Sequence, residues 1–172
     1  MQVREAPESD VEAIRRVHAA SIRELGRRTY SDEQVEAWAA GCETADYADI
    51  VEDDCYFVVA ETEDGDSADV VAFGSLWFTP PDDYERPLDA EVTAVYVHPS
   101  AARTGVGSAV LADLEDRARN RGATTLGLTA STNAVPFYQA RGYETVRERS
   151  HEFSGHESTG VEGTVVEMYK EL

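Results

Sequence analysis

The chain has 172 residues, of which 42% are hydrophobic and 28% charged, and this composition favours one folded domain over a disordered chain. Acidic residues outnumber basic ones by 34 to 15, so the formal net charge is −19 and no nucleic acid partner is expected. No apolar run approaches the roughly 20 residues that span a bilayer, so no membrane partner is expected either.

The acidic residues are spread over the whole chain rather than gathered in a tail. Such a spread is typical of proteins adapted to high salt, because a Debye length of about 3 Å at about 1 M salt screens self-repulsion. An acidic surface that attracts cationic partners is the alternative interpretation. The N-terminal residues lack the apolar segment of a signal peptide, and we expect a cytoplasmic protein.

Cysteine and histidine spacing argues against a metal site. Cys42 and Cys55 lie thirteen positions apart, and the four histidines form no HExxH-like cluster. We therefore expect neither a disulfide framework nor a bound metal.

The first half of the chain alternates between strand and helix periodicity. After a short strand over Val3–Ala6, a Ser9–Glu12 capping box predicts a helix whose apolar residues recur from Val11 to Leu25. A second capping box, Ser31–Gln34, predicts a helix that Gly41 ends. The elements predicted next are a helical turn over Ala45–Val51 and a hairpin of two strands, Tyr56–Ala60 and Val70–Leu76.

The second half predicts two further helices, each preceded by a strand. The predicted elements are a strand over Ala90–Val97, a helix from Gly105 to Arg121, a strand over Thr124–Thr129, a short helix over Asn133–Arg141, and strands over Tyr143–Arg149 and Thr164–Tyr169. This order predicts a mixed α/β sheet that is covered by helices on both faces.

A glycine loop, Ala102–Ser108, lies between the predicted strand Ala90–Val97 and the helix that follows it. Gly105 and Gly107 carry no side chains, so backbone N–H groups at the helix start can approach an anion closely. The loop is not a P-loop, since no Gly-Lys-Ser/Thr follows, and Val110 stands where a dinucleotide fingerprint needs glycine. On the loop alone, an anion site and a plain strand-to-helix turn are equal alternatives.

A second motif decides between these alternatives. The segment Asn133-Ala134-Val135-Pro136-Phe137-Tyr138-Gln139-Ala140-Arg141-Gly142-Tyr143 resembles the Asn, Phe-Tyr and Gly-Phe/Tyr signature of the GNAT N-acetyltransferase superfamily. The glycine loop is similar to the Gln/Arg-x-x-Gly-x-Gly/Ala motif of that family, at the usual distance before the signature. The N-terminal helices and the final strand also resemble one bacterial and archaeal branch, so the resemblance covers most of the chain.

The resemblance implies a fold and a co-substrate. The fold would be a single domain over residues 1–172, with about seven mostly antiparallel strands and about four helices, splayed between the fourth and fifth strands. Acetyl-coenzyme A would place its pantetheine and thioester along Val95, Tyr96 and Val97. Its pyrophosphate would lie on Arg103, Thr104, Gly105, Val106, Gly107 and Ser108, with a further contact from Asn133. Because Ala102 replaces the leading Gln/Arg of the motif, we expect Arg103 to supply that contact.

The resemblance also suggests the catalytic pair. Tyr138 stands at the position of the general acid, and a phenol of pKa about 10 is protonated at neutral pH and can serve a departing thiolate. We expect its neighbour Phe137 to belong to the core instead. Glu91, eleven positions before Ala102, has the spacing of the base in glutamate-using members. Strand alternation would put Glu91 on the same face as Thr93, Val95 and Val97, facing the cleft; a solvated glutamate is the equal alternative.

Several other residues are weaker candidates. Asn133 has the side chain to cap the following helix. Aromatic walls of the acceptor site are expected from Tyr30, Trp38 and Trp77, and alternative bases from His151 and His156. The resulting hypothesis is direct transfer of an acetyl group to a primary amine of a small molecule or of a protein or peptide, and the resemblance implies a possible homodimer. The alternative is a domain that binds acetyl-coenzyme A without catalysis, as a sensor or interaction module.

Overall fold

The computed structural model describes residues 1–45, 47–64, 67–153 and 160–172. The strands of this part of the chain are β1 (Gln2–Glu5), β2 (Cys55–Asp64), β3 (Ser67–Trp77), β4 (Ala90–Val97), β5 (Thr125–Ser131), β6 (Glu144–Glu152) and β7 (Glu162–Glu171). Its α-helices are α1 (Val11–Leu25), α2 (Asp32–Thr44), α3 (Val106–Asn120) and α4 (Val135–Gln139). Short 3-10 turns cover Glu8–Asp10, Gly26–Arg28, Ala48–Val51 and Pro99–Ala101.

The seven strands form one sheet in the order β1-β2-β3-β4-β5-β7-β6. Neighbouring strands are antiparallel except β4 and β5, which run parallel. Their pairing is limited to Ala90 with Leu126 and Glu91 with Gly127, and the two strands diverge beyond that point. The predicted mixed sheet, with its splay between the fourth and fifth strands, is confirmed.

Helix α2 begins as its sequence predicts. The Ser31 hydroxyl accepts a hydrogen bond from the Gln34 N–H, and the Gln34 side chain accepts one from the Ser31 N–H. Two other predictions about helix ends are wrong. The segment before α1 forms a 3-10 turn, so Asp10 rather than Ser9 is the N-cap residue and no side chain caps the helix. Gly41 does not end α2. The helix continues to Thr44, and the Gly41 carbonyl accepts a hydrogen bond from the Ala45 N–H.

The core lies on both faces of the sheet. On one face α3 packs through Val110 and Leu114 onto β2, β3 and β4, and on the other face α1 packs through Ile14 and Val17. Gly74 of β3 lets α3 approach closely, since a Cβ there would lie only 2.6 Å from the Val110 Cγ1. This packing brings the N-terminus of α3 to the end of β4, next to the opening between β4 and β5.

Candidate active site

A groove follows the divergence of β4 and β5 and consists of three adjoining cavities. We name them the loop cavity (540 Å³), the middle cavity (140 Å³) and the Glu91 cavity (370 Å³). The loop and middle cavities share Val97, Gly107 and Phe137 as walls. The middle and Glu91 cavities share Trp38 and Tyr138. The groove therefore links the glycine loop to the two predicted catalytic side chains.

The glycine loop presents unpaired backbone donors to the loop cavity. Within the described residues, no acceptor is found for the N–H groups of residues 103–107. Two positive φ angles, 65° at Arg103 and 90° at Gly105, turn the chain before α3 starts at Val106. The Thr104 hydroxyl donates to the Ala101 carbonyl at 2.6 Å and holds the turn in place. Free N–H groups at the positive end of a helix, here one of 15 residues, are able to bind an anion.

Three arginines, Arg28, Arg103 and Arg141, border the loop cavity. Only Arg103 among them is predicted from the sequence. Arg141 donates to the Ser108 hydroxyl and, at 2.6 Å, to the Phe137 carbonyl. Its guanidinium carbon lies 3.7 Å from the centroid of the Phe137 ring. The predicted helix Asn133–Arg141 would already have placed Arg141 beside Phe137, because residues four apart share a helix face.

Tyr138 lies between the middle cavity and the Glu91 cavity. Only 7% of the residue is exposed, and its hydroxyl has no hydrogen-bond partner in the part of the chain that the structure describes. Burial raises the pKa of this phenol well above its usual value, so it stays protonated at any physiological pH. Phe137, which we expected in the core, is only half-buried and borders the loop and middle cavities. Tyr138 is therefore more deeply buried than Phe137, contrary to the prediction.

Glu91 is the last residue of β4 that pairs with β5, and its carboxylate borders the Glu91 cavity. The Tyr84 hydroxyl donates to the Glu91 Oε1 at 2.6 Å. Burial raises the pKa of the Glu91 carboxyl above its usual value, and the hydrogen bond from Tyr84 acts in the opposite direction. Glu91 is therefore a half-buried carboxylate rather than a fully solvated one.

A β-bulge interrupts β4 just after Glu91. Ser75 and Leu76 are adjacent in β3, yet they pair with Ala94 and Val92, so Thr93 is an extra residue in β4. The Thr93 hydroxyl lies 2.5 Å from that of Ser75. An extra residue reverses the alternation of side chains beyond it.

The bulge overturns the predicted common face of Glu91, Val95 and Val97. Val95 and Val97 pack with Val92 in the core against α3, whereas Glu91, adjacent to Val92, lies on the opposite face. The prediction was wrong because it assumed unbroken alternation. Glu91 and Val95 nevertheless border one cavity, because the gap between β4 and β5 is open to both faces.

Residues 20–143 match the model of the Acetyltransferase (GNAT) family. The chain belongs to this family. It is an acyltransferase, and members of the family use acetyl-coenzyme A. A search of curated proteins returns no match to the chain.

Solved structures give the same fold for this GNAT protein. It is similar to the GCN5-related N-acetyltransferase (aminotransferase, class-II) from Rhodopseudomonas palustris, with a TM-score of 0.80 and 28% identity over 99% of this chain and 95% of that chain. The PaiA N-acetyltransferase from Thermoplasma acidophilum, in complex with coenzyme A, has a TM-score of 0.72 and 20% identity over 99% and 98%. Naa20 from Chaetomium thermophilum, in complex with a bisubstrate analogue, has a TM-score of 0.61 and 21% identity over 100% and 87%.

Of the three aromatic residues predicted to border the acceptor site, only Trp38 borders the groove of this GNAT protein. Trp38 borders the middle and Glu91 cavities and stacks on Phe153 with ring centroids 4.9 Å apart. Tyr30 is a buried structural bridge, since its hydroxyl donates to the Thr164 carbonyl at 2.7 Å and accepts from a backbone N–H at 3.0 Å. Trp77 is 37% exposed, donates to Asp54 and borders none of the three cavities.

The remaining candidates are Asn133, His151 and His156. Asn133 is exposed where the loop and middle cavities meet, but Ala134 is the N-cap residue of α4, and the predicted Asn133 cap is wrong. His151 borders the Glu91 cavity, and burial and Arg149 lower the pKa of its imidazole. His156 lies outside the described residues.

Neither a metal cluster nor a membrane span is found in residues 1–45, 47–64, 67–153 and 160–172. No group of three His, Cys, Asp or Glu side chains there could hold a metal ion. Likewise, no helix of these ranges combines the length and the apolar character that crossing a bilayer requires.

Proposed function

We propose that this GNAT protein transfers the acetyl group of acetyl-coenzyme A directly to a primary amine. The observation that carries the proposal is the continuous groove, which joins an anion-binding loop to a buried tyrosine and a half-buried carboxylate. A loop for a diphosphate, an acid and a base are the groups that direct acetyl transfer requires.

The loop cavity fits the phosphates of the coenzyme. The N–H groups of residues 103–107 are unpaired within the described part of the chain, the loop that carries them borders this cavity, and Arg28, Arg103 and Arg141 add positive charge. In a chain of net charge −19, this end of the groove has a cationic character that favours a polyanion. Asn133, at the junction with the middle cavity, is placed to contact the start of the pantetheine arm.

The exposed edge of β4 fits the pantetheine arm. Beyond Glu91, no strand among the described residues pairs with this edge, because β5 has diverged. Backbone groups of Val95, Tyr96 and Val97 on that side are therefore free to bind the amide groups of pantetheine, as an added strand would. The arm would then deliver the thioester to Tyr138, at the junction of the middle and Glu91 cavities.

Tyr138 and Glu91 divide the proton transfers between them. Glu91 accepts a proton from the acceptor ammonium, directly or through water, and so frees the nitrogen lone pair for attack on the thioester carbonyl. As the new C–N bond forms and the C–S bond breaks, Tyr138 donates its proton to the departing thiolate, and the attacking nitrogen releases its second proton, which returns through water to the Tyr138 phenolate. Burial supports both roles, since it keeps the phenol protonated and makes the carboxylate a stronger base.

The acceptor would lie in the Glu91 cavity. Its 370 Å³ are bordered by the aromatic Trp38 and by the charged side chains of Asp83, Glu91 and Arg149. This volume is compatible with a small amine or with the first residue of a peptide, and we propose both as acceptor classes.

A thiol-release assay tests the proposed function. Coenzyme A formation is measured with a panel of small amines and peptide N-termini in high KCl, for the wild type and for Tyr138→Phe. We expect Tyr138→Phe to lower kcat by a factor of about 10² to 10⁴ while the KM for acetyl-coenzyme A stays within about twofold. The matched control is Tyr169→Phe, which removes a phenol outside the three cavities.

The assay also addresses the alternative function. If the wild type binds acetyl-coenzyme A but releases no thiol with any amine, the protein is a binding domain and the proposal is overturned. A Glu91→Gln variant that keeps the wild-type kcat and pH profile would remove Glu91 from the mechanism and leave the transfer reaction in place.

We also propose that the protein is cytoplasmic and works at high salt. Support comes from the net charge of −19, in which acidic residues are distributed over strands, helices and turns. Screening by concentrated salt would reduce the repulsion that this charge creates in the folded state.

A further inference from the structure

The connection between β3 and β4 carries a tyrosine that touches the proposed base. The Tyr84 hydroxyl donates to the Glu91 Oε1 at 2.6 Å and lies 3.3 Å from the Thr129 hydroxyl. Glu91 is on β4 and Thr129 is on β5, two residues beyond the last pair of the two strands. The Tyr84 hydroxyl therefore spans the place where β4 and β5 separate.

We propose that Tyr84 is a positioning residue for Glu91, which fixes one carboxylate oxygen and leaves the other free for the acceptor amine. The inference rests on the proposed role of Glu91 as base. One oxygen held by a phenol restricts the rotation of the carboxylate, and pre-orientation of this kind shortens the search for a productive geometry.

The backbone around Tyr84 is tied to the far side of the sheet. The Glu85 N–H donates to the Glu167 Oε1 at 2.7 Å, and the Arg147 Nε donates to the Glu167 Oε2 at 2.8 Å. Arg147 also donates to the Asp83 carbonyl at 2.6 Å, and Arg149 forms an ion pair with the Asp83 carboxylate. Residues on both sides of Tyr84 are thus bound to β6 and β7.

The central group of this arrangement, Glu167, is a buried charge. It is 1% exposed, and a carboxylate removed from water in this way is destabilising unless its oxygens are paired. Its two hydrogen-bond partners, the Glu85 N–H and the Arg147 guanidinium, are contributed by the connection and by β6, and Arg149 of β6 adds an ion pair at 3.7 Å. Losing the connection would leave one Glu167 oxygen without a partner, so the connection and its tyrosine are held in one place.

Tyr84 also acts on the ionisation of Glu91. The groups that face the Glu91 carboxylate are Tyr84 and Asp83 from the connection and Arg149 from β6, with Thr129 of β5 beside the Tyr84 hydroxyl and His151 on the cavity wall. Burial and Asp83 raise the pKa of Glu91, while Tyr84 first and Arg149 second lower it. Burial, and after it the negative charge of Glu91, raise the pKa of Tyr84 itself far above its usual value, so the Tyr84 hydroxyl remains a hydrogen-bond donor throughout the working range of pH.

The test is Tyr84→Phe, which removes the hydroxyl and keeps the ring. A base works only when deprotonated, so activity is lost as pH falls through its pKa; without the hydroxyl that pKa rises. We expect the acid limb of the kcat profile to move upward by about one pH unit, since one hydrogen bond to a charged group has about that effect. Above the limb we expect kcat to fall severalfold, while the KM for acetyl-coenzyme A stays within about twofold because Tyr84 borders only the Glu91 cavity.

Two controls make the result specific. Tyr169→Phe should leave the limb unmoved, because the Tyr169 ring lies against Arg86 outside the three cavities. Tyr84→Phe in a Glu91→Gln background should have no further effect on the pH profile. Independently of activity, the ¹³C titration of the Glu91 carboxyl, assigned by its disappearance in Glu91→Gln, should move upward by about one pH unit in Tyr84→Phe.

The outcomes separate this inference from the proposed function. If Glu91→Gln abolishes the acid limb but Tyr84→Phe leaves both the limb and the carboxyl titration unchanged, the positioning role is wrong and the base stands. If Glu91→Gln itself keeps the wild-type profile, the assignment of Glu91 as base fails first. A limb that moves in Tyr84→Phe, together with the carboxyl titration, supports both.

Discussion

Gly105 and Gly122 stand at the two ends of α3 with nearly the same backbone conformation, which provides a matched test of the anion-binding loop. Their φ angles are 90° and 85°, and a Cβ added at either position would meet no atom within 4 Å. Alanine at either site therefore introduces backbone strain without a steric clash. Only Gly105 belongs to the loop that borders the loop cavity.

The expected effect on stability is the same for both variants. A non-glycine residue in the left-handed region costs about 1 to 2 kcal/mol, so each variant should lower the free energy of unfolding by about 1 kcal/mol. For a chain of this length, this corresponds to a decrease in Tm of about 2 to 4 °C. The stability change measures the strain alone.

The expected effect on binding differs between the two variants. Alanine at position 105 favours a negative φ, and relaxation toward it would turn the neighbouring N–H groups away from the phosphates. One hydrogen bond to a charged group contributes about 1.5 to 3 kcal/mol, so Gly105→Ala should weaken coenzyme A binding by about tenfold or more. Gly122→Ala should leave the affinity unchanged within about twofold.

Isothermal titration calorimetry with coenzyme A, paired with thermal unfolding of the free proteins, measures both quantities. Equal affinities for Gly105→Ala and Gly122→Ala, at an equal loss of stability, would refute the argument that the backbone conformation of the loop creates the binding site. Weakened binding in both variants would instead assign the effect to α3 as a whole.

Three further predictions concern charge and packing. Arg141→Ala should raise the KM for acetyl-coenzyme A about tenfold, whereas the control Arg119→Ala, at the far end of α3, should leave this KM unchanged. Arg103→Ala should also raise the KM for acetyl-coenzyme A, and an increase below about twofold would remove Arg103 from the phosphate site. Gly74→Val should lower the free energy of unfolding in urea by about 3 kcal/mol, because even its Cβ would overlap Val110, and an unchanged midpoint would contradict the close packing of α3. Raising KCl from about 0.1 to about 1 M should preserve or tighten coenzyme A binding, because we expect the screening of repulsion from the net charge of −19 to outweigh the screening of the arginine–phosphate attraction; a severalfold weakening would contradict the proposed salt adaptation.

Much of the fold follows from local patterns in the sequence. The apolar periodicity of Val11–Leu25 and of the segment after Gly105 predicts α1 and α3 to within a few residues, and the Ser31 capping box marks the start of α2. These features depend on residues within one or two turns of each other, so the sequence contains the whole cause. The glycine loop and the Asn133–Tyr143 motif are equally local, and together they indicate the family.

The site itself depends on contacts between distant segments. The extra residue Thr93 is recognisable only from the pairing of β4 with β3, and it reverses the face on which Glu91 lies. Arg28 reaches the loop cavity from the turn after α1, and Tyr84 reaches Glu91 from a connection held by β6 and β7. Strand register, and the packing of the connecting segments against the sheet, depend on the tertiary structure as a whole, so no local sequence pattern predicts them.

The sequence alone therefore determined the order of the helices and strands, the position of the glycine loop and the family to which the chain belongs. The tertiary structure decided which side chains surround that loop and which group holds Glu91. The physical reason is the separation of the interacting residues along the chain. Hydrogen bonding and periodicity within a helix or strand involve near neighbours, whereas the burial of Tyr138 and Glu91 requires β4 and β5 to separate and distant segments to pack around them.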